Sequence, residues 1–260
     1  MSSHLYSKTL GNGKVVSVVH ERGRGIAWRI WPGAHVLIDW MEQNVDQWSN
    51  DGNVHVVEVG AGVGLVGVVC SGLGAEQVTL TDLPEELDAL TRSVSANEAV
   101  IHVMPLTFGN EEEAKAVMSR TTLPTVIVGS ELIYWESLFQ PIADSFRTLI
   151  DLGATAIYIG YRIRVWKTEK RFWTKILGQV GLEAEIVGQW FAQEEDGSSQ
   201  KSDGQVVYSV IPNSDSFNVA GEDWNTRVYK ITRAASKVEP DVNPYAEWAH
   251  KKDRKNWKSK

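Results

Sequence analysis

Cysteine is nearly absent: Cys70 stands alone among 260 residues. No disulfide can form within the chain, and the composition fits a reducing compartment. Metal-ligand spacing is missing too. The histidines at 4, 20, 35, 55, 102 and 250 are scattered and have no cysteine partners, so no metal is expected. No apolar run is long enough to read as a membrane span. The most apolar stretch, 54–70, carries Glu58 and glycines 60, 62, 64 and 67, which suits a buried strand, turn and helix. Residues 1–14 lack the apolar core of a signal peptide, and no fixed-period repeat is visible. Net basic charge is absent as well. A formal charge of −7 argues against a general nucleic-acid surface, which needs cations facing phosphate. Residues 250–260 are the exception, with six basic residues against Asp253. They read as a solvated terminus, with RNA or an acidic partner as the alternative. The expectation is a soluble cytoplasmic monomer.

What is present is an ordinary globular composition, 43% hydrophobic and 23% charged, in a chain long enough for one sizeable core. Residues 1–236 are expected to form a single domain, with 1–30 as an N-terminal β extension turning at 10–13. Val36, Leu37, Trp40 and Met41 follow Trp31-Pro32 at helical spacing. Strands at 54–59, 78–81, 101–106, 125–129, 156–161 and 184–189 then alternate with helical stripes. One stripe is Leu83, Leu87, Leu90 and Val94, with Thr81 or Asp82 as its N-cap. This rhythm predicts an α/β fold with a parallel sheet covered on both faces. An excursion at 192–225, with an extra strand near 205–211, separates the sixth strand from a late one at 227–232. Residues 237–260 are read as a basic tail. Most of the eleven tryptophans suit the core. Trp166, Trp173 and Trp190 are candidates for shaping a partner surface.

Two clusters carry chemistry. Glu58-Val59-Gly60-Ala61-Gly62-Val63-Gly64 follows a β-branched strand and precedes a helix. Its alternating glycines let backbone approach a ligand where a Cβ would collide, and the helix start adds partial positive charge. Gly62-x-Gly64-x-x-Gly67, with Asp82 twenty residues after Gly62, also fits a dinucleotide fingerprint. A nicotinamide-dependent oxidoreductase therefore remains open on this turn alone. Two details favour a sulfonium nucleoside. The turn starts one step early, at Gly60, and the Glu58 carboxylate suits a cation better than a pyrophosphate. Asp82 can hold ribose hydroxyls in either case. The second cluster, Ser130-Glu131-Leu132-Ile133-Tyr134-Trp135, follows the fourth strand. It places an acid and a phenol three residues apart at the sheet edge where ligands bind.

Together these pieces resemble the seven-β-strand lysine methyltransferases, the methyltransferase-like group that modifies chaperones and translation factors. Trp31-Pro32-Gly33-Ala34 is similar to the group's Trp-Pro-Ala-Ala segment, and Glu58 to Gly67 to its Glu-x-Gly-Ala-Gly-x-Gly-Leu-x-Gly turn. Thr81-Asp82-Leu83-Pro84, Asn97, Glu131-x-x-Tyr134 and Tyr161-Arg162-Ile163-Arg164 match in order. Phe108 stands where the group usually has Trp, Ser130 replaces a usual Ala, and Glu131 a more frequent Asp. The resemblance implies a Rossmann-like seven-stranded sheet of the class I S-adenosylmethionine-dependent type, with an antiparallel last strand.

It also implies cofactor contacts from Trp31, Glu58, Gly60, Ala61, Gly62, Gly64, Asp82, Leu83, Phe108 and Ser130. The implied reaction is transfer of the methyl group of S-adenosylmethionine to a lysine of a protein substrate, elongation factor 1A or a chaperone. Glu131 would orient the amine, and Tyr134 would line its channel. Arginine or small-molecule acceptors, and an inactive scaffold of the same fold, are the remaining alternatives.

Overall fold

A computed structural model describes residues 3–21, 23–97, 99–192, 208–211 and 226–235. The chain opens with an antiparallel hairpin of β1 (Ser3–Thr9) and β2 (Val15–Glu21). The Leu10 N–H donates to the Lys14 carbonyl and closes the turn where the glycines predicted it. The expected β extension to residue 30 ends early. Residues 23–31 are turns and bends, because Gly23 and Gly25 both take positive φ.

Next come α1 (Pro32–Gln43) and the one-turn α2 (Val45–Trp48). Proline at the first position of α1 has no N–H to leave unpaired. Val36, Leu37, Trp40 and Met41 are all buried, as their spacing predicts. Strands and helices then alternate: β3 (His55–Glu58), α3 (Leu65–Gly72), β4 (Gln77–Asp82), α4 (Leu87–Ser95), β5 (Ile101–Pro105), α5 (Glu111–Met118), β6 (Thr125–Ser130), α6 (Phe139–Asp151) and β7 (Ala154–Arg162). After β7 come α7 (Trp166–Arg171), a π turn (Phe172–Ile176) and α8 (Leu177–Gln179). The last strands are β8 (Leu182–Ala192), β9 (Tyr208–Ile211) and β10 (Thr226–Arg233).

The main sheet runs β5-β4-β3-β6-β7-β10-β8-β9. The first five strands are parallel, and β10 lies between β7 and β8, antiparallel to both. Seven strands thus form the expected sheet with its last strand, β10, antiparallel. The extra strand read near 205–211 is β9, an eighth strand pairing antiparallel with β8. The remainder of the excursion, 193–207 and 212–225, and the basic tail at 237–260 lie outside the described residues.

Alternation along β3 feeds two cores. Val54 and Val56 pack with α1, α3 and the hairpin. Val57 and Val59 pack with α5, α6 and the helices after β7. His55 is buried between them and ties three strands together. Its Nε2 lies 2.9 Å from the Thr79 hydroxyl and its Nδ1 3.4 Å from that of Thr125. Burial lowers its pKa to about 4, so it is neutral. Asn97, one of the matched motif residues, clasps the hairpin. Its side chain accepts from the Ser17 N–H and donates to the Ser17 carbonyl, which imitates a strand partner.

Two helix starts differ from the sequence reading. Pro84 forces a 3₁₀ turn at Pro84–Glu86, so α4 starts at Leu87 and has no side-chain cap from Thr81 or Asp82. α5 was not expected. Its start is nevertheless written in Asn110-x-x-Glu113. Asn110 Oδ1 accepts from the Glu113 N–H, and Glu113 reaches back to the Thr107 N–H, a variant of the capping box. Among the described residues, no helix is long and apolar enough to cross a membrane, and no cluster of His, Cys, Asp or Glu could hold a metal ion.

Candidate active site

Chain progression reverses at the centre of the sheet. From β3 the chain moves outward through β4 to β5, and from β6 it moves the other way to β7. The crevice at such a reversal, at the strand carboxyl ends, is where open α/β sheets bind ligands. Glu58, Asp82 and Ser130 end β3, β4 and β6, so the topology gathers the residues singled out in the sequence.

The half of the crevice over β3 and β4 is made mostly of backbone. Gly60, Gly62 and Gly64 have φ of 57°, 57° and 77°. This left-handed region is costly for a residue with a Cβ, which explains the alternation of glycine beyond any need for ligand access. The turn is held from both sides. The Gly62 N–H donates to Asp82 Oδ2 at 2.7 Å, and the Leu83 N–H to Asp82 Oδ1 at 2.8 Å. Each carboxylate oxygen has a second lone pair, so Asp82 keeps acceptor capacity for two hydroxyls. Burial, as the largest effect, raises its pKa. Phe108 and Leu132 close over Gly60, where an added Cβ would meet Leu132 Cδ2 at 2.6 Å and Phe108 Cζ at 3.5 Å.

Glu58 has a place different from the one its sequence context suggested. It is buried, and its Oε2 accepts from the Gly67 N–H at 2.7 Å; the Val66 N–H also favours its charge. The carboxylate therefore serves the first turn of α3, where free N–H groups and the helix dipole attract an acid. It supports the turn from beneath. Burial pushes its pKa up to about 8.

The other half, at the ends of β6 and β7, is made of side chains. Glu131 is buried and sits at φ 58°, a rare conformation for a residue other than glycine, which persists only where surroundings enforce it. Three contacts do so. Its N–H donates to the Gly160 carbonyl at 2.9 Å. Its Oε1 accepts from the Gly33 N–H at 2.7 Å, and its Oε2 meets Arg164 Nη2 at 2.5 Å. Burial raises its pKa, and Arg164, the Gly33 N–H and Arg162 oppose that shift. Tyr134 is half-buried, and its hydroxyl feels both Asp82 and Arg164, so it stands between the two halves. The Trp135 ring lies 4.8 Å from that of Tyr134. Trp31, at the start of α1, donates from Nε1 to the Ile26 carbonyl.

The residues named from sequence thus fall into two groups. Trp31, Gly60, Gly62, Asp82, Leu83, Phe108, Ser130 and Tyr134 keep exposed surface. Glu58, Ala61, Gly64 and Glu131 are buried and shape what the first group presents. Sequence reasoning missed how Gly33, Leu132 and Arg164 act here. Gly33 carries a signal in hindsight, because a Cβ there would meet Glu131 Oε1 at 2.6 Å. Trp173, a candidate partner-surface residue, is instead buried and stacked 3.8 Å from Tyr229. Trp166 is half-buried.

This sheet order, with a glycine turn after the first parallel strand and an acid at the end of the second, defines a class I S-adenosylmethionine-dependent methyltransferase. Within that class, the chain belongs to the lysine methyltransferase family, whose sequence profile matches residues 11–179. It is 29% identical over 173 residues to protein N-lysine methyltransferase METTL21A of Danio rerio, covering 65% of this chain and 75% of that one. It is 30% identical over 162 residues to EEF1A lysine methyltransferase 3 of Mus musculus, covering 60% and 64% of the two chains. Among solved structures, a SAM-dependent methyltransferase from Agrobacterium tumefaciens shares the fold. The TM-score is 0.52 at 12% identity, over 88% of this chain and 70% of that one. Family membership removes the nicotinamide reading of the glycine turn.

Proposed function

We propose that the protein methylates a lysine side chain of a protein substrate, with elongation factor 1A as the first candidate. The observation that carries this reading is Glu131, buried and held in a strained conformation within a few residues of Tyr134, beside a turn suited to a nucleoside. The donor set fits S-adenosylmethionine. Asp82 has acceptor capacity for ribose hydroxyls, Phe108 offers a ring face to adenine, and Gly60, Ala61 and Gly62 bring backbone close. Trp31, Leu83 and Ser130 complete the wall, and Gly64 and Glu58 hold the turn in shape. Bound there, the cofactor supplies an electrophilic methyl group.

The protein's task is then to present a neutral amine in line. A lysine ammonium, with a reference pKa of about 10.4, has no lone pair and must first lose its proton. The Glu131 carboxylate orients the incoming nitrogen and gives the departing proton an acceptor. The Tyr134 ring lines the channel and favours a cation on arrival.

The elongation factor is named in one relative's printed name, and the net charge of −7 suits a basic partner. The test incubates purified protein and labelled S-adenosylmethionine with elongation factor 1A, and separately with whole-cell extract. Labelled bands are then mapped by mass spectrometry. Label on lysine supports the reading. Label confined to arginine or to small molecules, or none at all, overturns it.

A further inference from the structure

Arg164 meets Glu131 across the boundary between interior and mouth. The carboxylate side chain is 4% exposed and the guanidinium side chain 33%. Arg164 is itself anchored. Its N–H donates to Glu169 Oε2 at 3.0 Å, and the same buried carboxylate accepts from the Tyr161 hydroxyl. Its guanidinium also lies 5.8 Å from the Trp31 ring centroid. One cation therefore touches both the acid at the foot of the mouth and an aromatic of its wall.

We propose that Arg164 is a positioning residue for methyl transfer: its guanidinium holds the Glu131 carboxylate ionised and aimed between the Gly33 N–H and the mouth. This rests on the lysine-methylation reading above. A carboxylate this buried takes up a proton when no opposite charge lies near it. A protonated Glu131 has lost the charge that orients an ammonium, and it cannot take up the proton the amine must lose. The groups facing Glu131 leave Arg164 as its dominant charge partner. The end of β7 contributes Arg162 and Arg164, with Glu169 behind the latter. Its own loop brings Tyr134, whose hydroxyl feels Arg164 and Asp82. From α1 comes the Gly33 N–H.

The test compares wild type with Arg164→Met, Arg164→Lys, Glu131→Gln and the Met/Gln double variant. Urea unfolding between pH 5 and 8, without cofactor or substrate, reads the ionisation of Glu131 as a difference from wild type, in which the contribution of Glu58 cancels. In Arg164→Met the folded protein keeps a proton that the unfolded chain has released. Stability then falls as pH rises, and the unfolding constant relative to wild type climbs by up to about tenfold per pH unit. Arg164→Lys restores most of the wild-type slope, and in the Glu131→Gln background Arg164→Met no longer changes the slope. In transfer assays, the acid limb of kcat/KM moves to higher pH in Arg164→Met and returns in Arg164→Lys, while S-adenosylhomocysteine affinity stays within about twofold. A stability loss equal at every pH, or a kcat/KM profile lowered without being shifted, overturns the proposal. A wild-type protein that methylates no lysine overturns the functional reading separately, and the unfolding series still decides whether Arg164 sets the charge on Glu131.

Discussion

Glu58 and Glu131 are matched in several respects and differ in one. Both are buried, and each accepts from a glycine N–H at 2.7 Å in the first turn of a helix, Gly67 in α3 and Gly33 in α1. Only Glu131 has a guanidinium against its other oxygen. Glu58 is consequently pushed up to about 8 by burial and acts as scaffolding under the glycine turn. Glu131 keeps its charge partner at the edge of the mouth. Burial alone does not distinguish these two acids; the counter-ion does.

The largest effect that would sharpen this contrast is on transfer. Glu131→Gln should lower kcat by roughly 10² to 10⁴-fold, the range of a lost acid–base group, with S-adenosylhomocysteine affinity unchanged by calorimetry. On the acceptor role proposed for its ring, Tyr134→Ala should also act on transfer and spare cofactor affinity. Turnover near wild type in either variant would break the assignment.

Asp82→Ala belongs to the cofactor side. Hydrogen bonds to a charged group are worth about 1.5–3 kcal/mol, so affinity for S-adenosylhomocysteine should drop about 10- to 100-fold. Unchanged calorimetric affinity would remove Asp82 from the site.

Glu58→Gln should show itself in stability against pH. The folded pKa of Glu58 lies above its ordinary value, so the folded state binds a proton that the unfolded chain releases. Its contribution is therefore full below about pH 4.5 and falls as pH rises toward 8. Chemical denaturation of Glu58→Gln should lack this decline, which amounts to roughly 1.4 kcal/mol per pH unit. A slope equal to wild type would mean that Glu58 is already ionised.

A further effect concerns Gly33. Gly33→Ala should destabilise by about 1–3 kcal/mol, the usual size for overpacking, because its Cβ would collide with Glu131 Oε1. Shortening the acid with Glu131→Asp relieves that contact but leaves the Gly160 carbonyl oxygen 2.8 Å from the added Cβ, so the double variant should recover part of the loss and be more stable than the two single losses add up to. Simple additivity in urea would show that the two positions do not compete for volume.

How much was legible follows the same division. The glycine turn, Asp82 and the strands around them lie within one β–α–β stretch, where spacing along the chain translates directly into geometry. β-branched runs predicted β3, β4, β6 and β7 within a few residues, and Trp31-Pro32 predicted the start of α1. α5 was missed because its exposed face carries three glutamates and its buried face only Ala114, Val117 and Met118, too few for a visible stripe. The contact of Glu58 with the first turn of α3 was not legible because a strand pattern cannot say which way a terminal carboxylate turns. Arg164 was seen as part of a motif, but its contact with Glu131 spans 33 residues and has no local trace.

Local physics therefore settled from the chain alone that this is a nucleoside-binding α/β fold: alternating strands and helices, a bend that only glycine tolerates, and an acid where a ribose would sit. Tertiary structure alone decided which buried acid meets a counter-ion. That depends on bringing Gly33, Glu131, Gly160 and Arg164 from three distant segments to one point, and the energy of a charge in a protein is set by its neighbours in space.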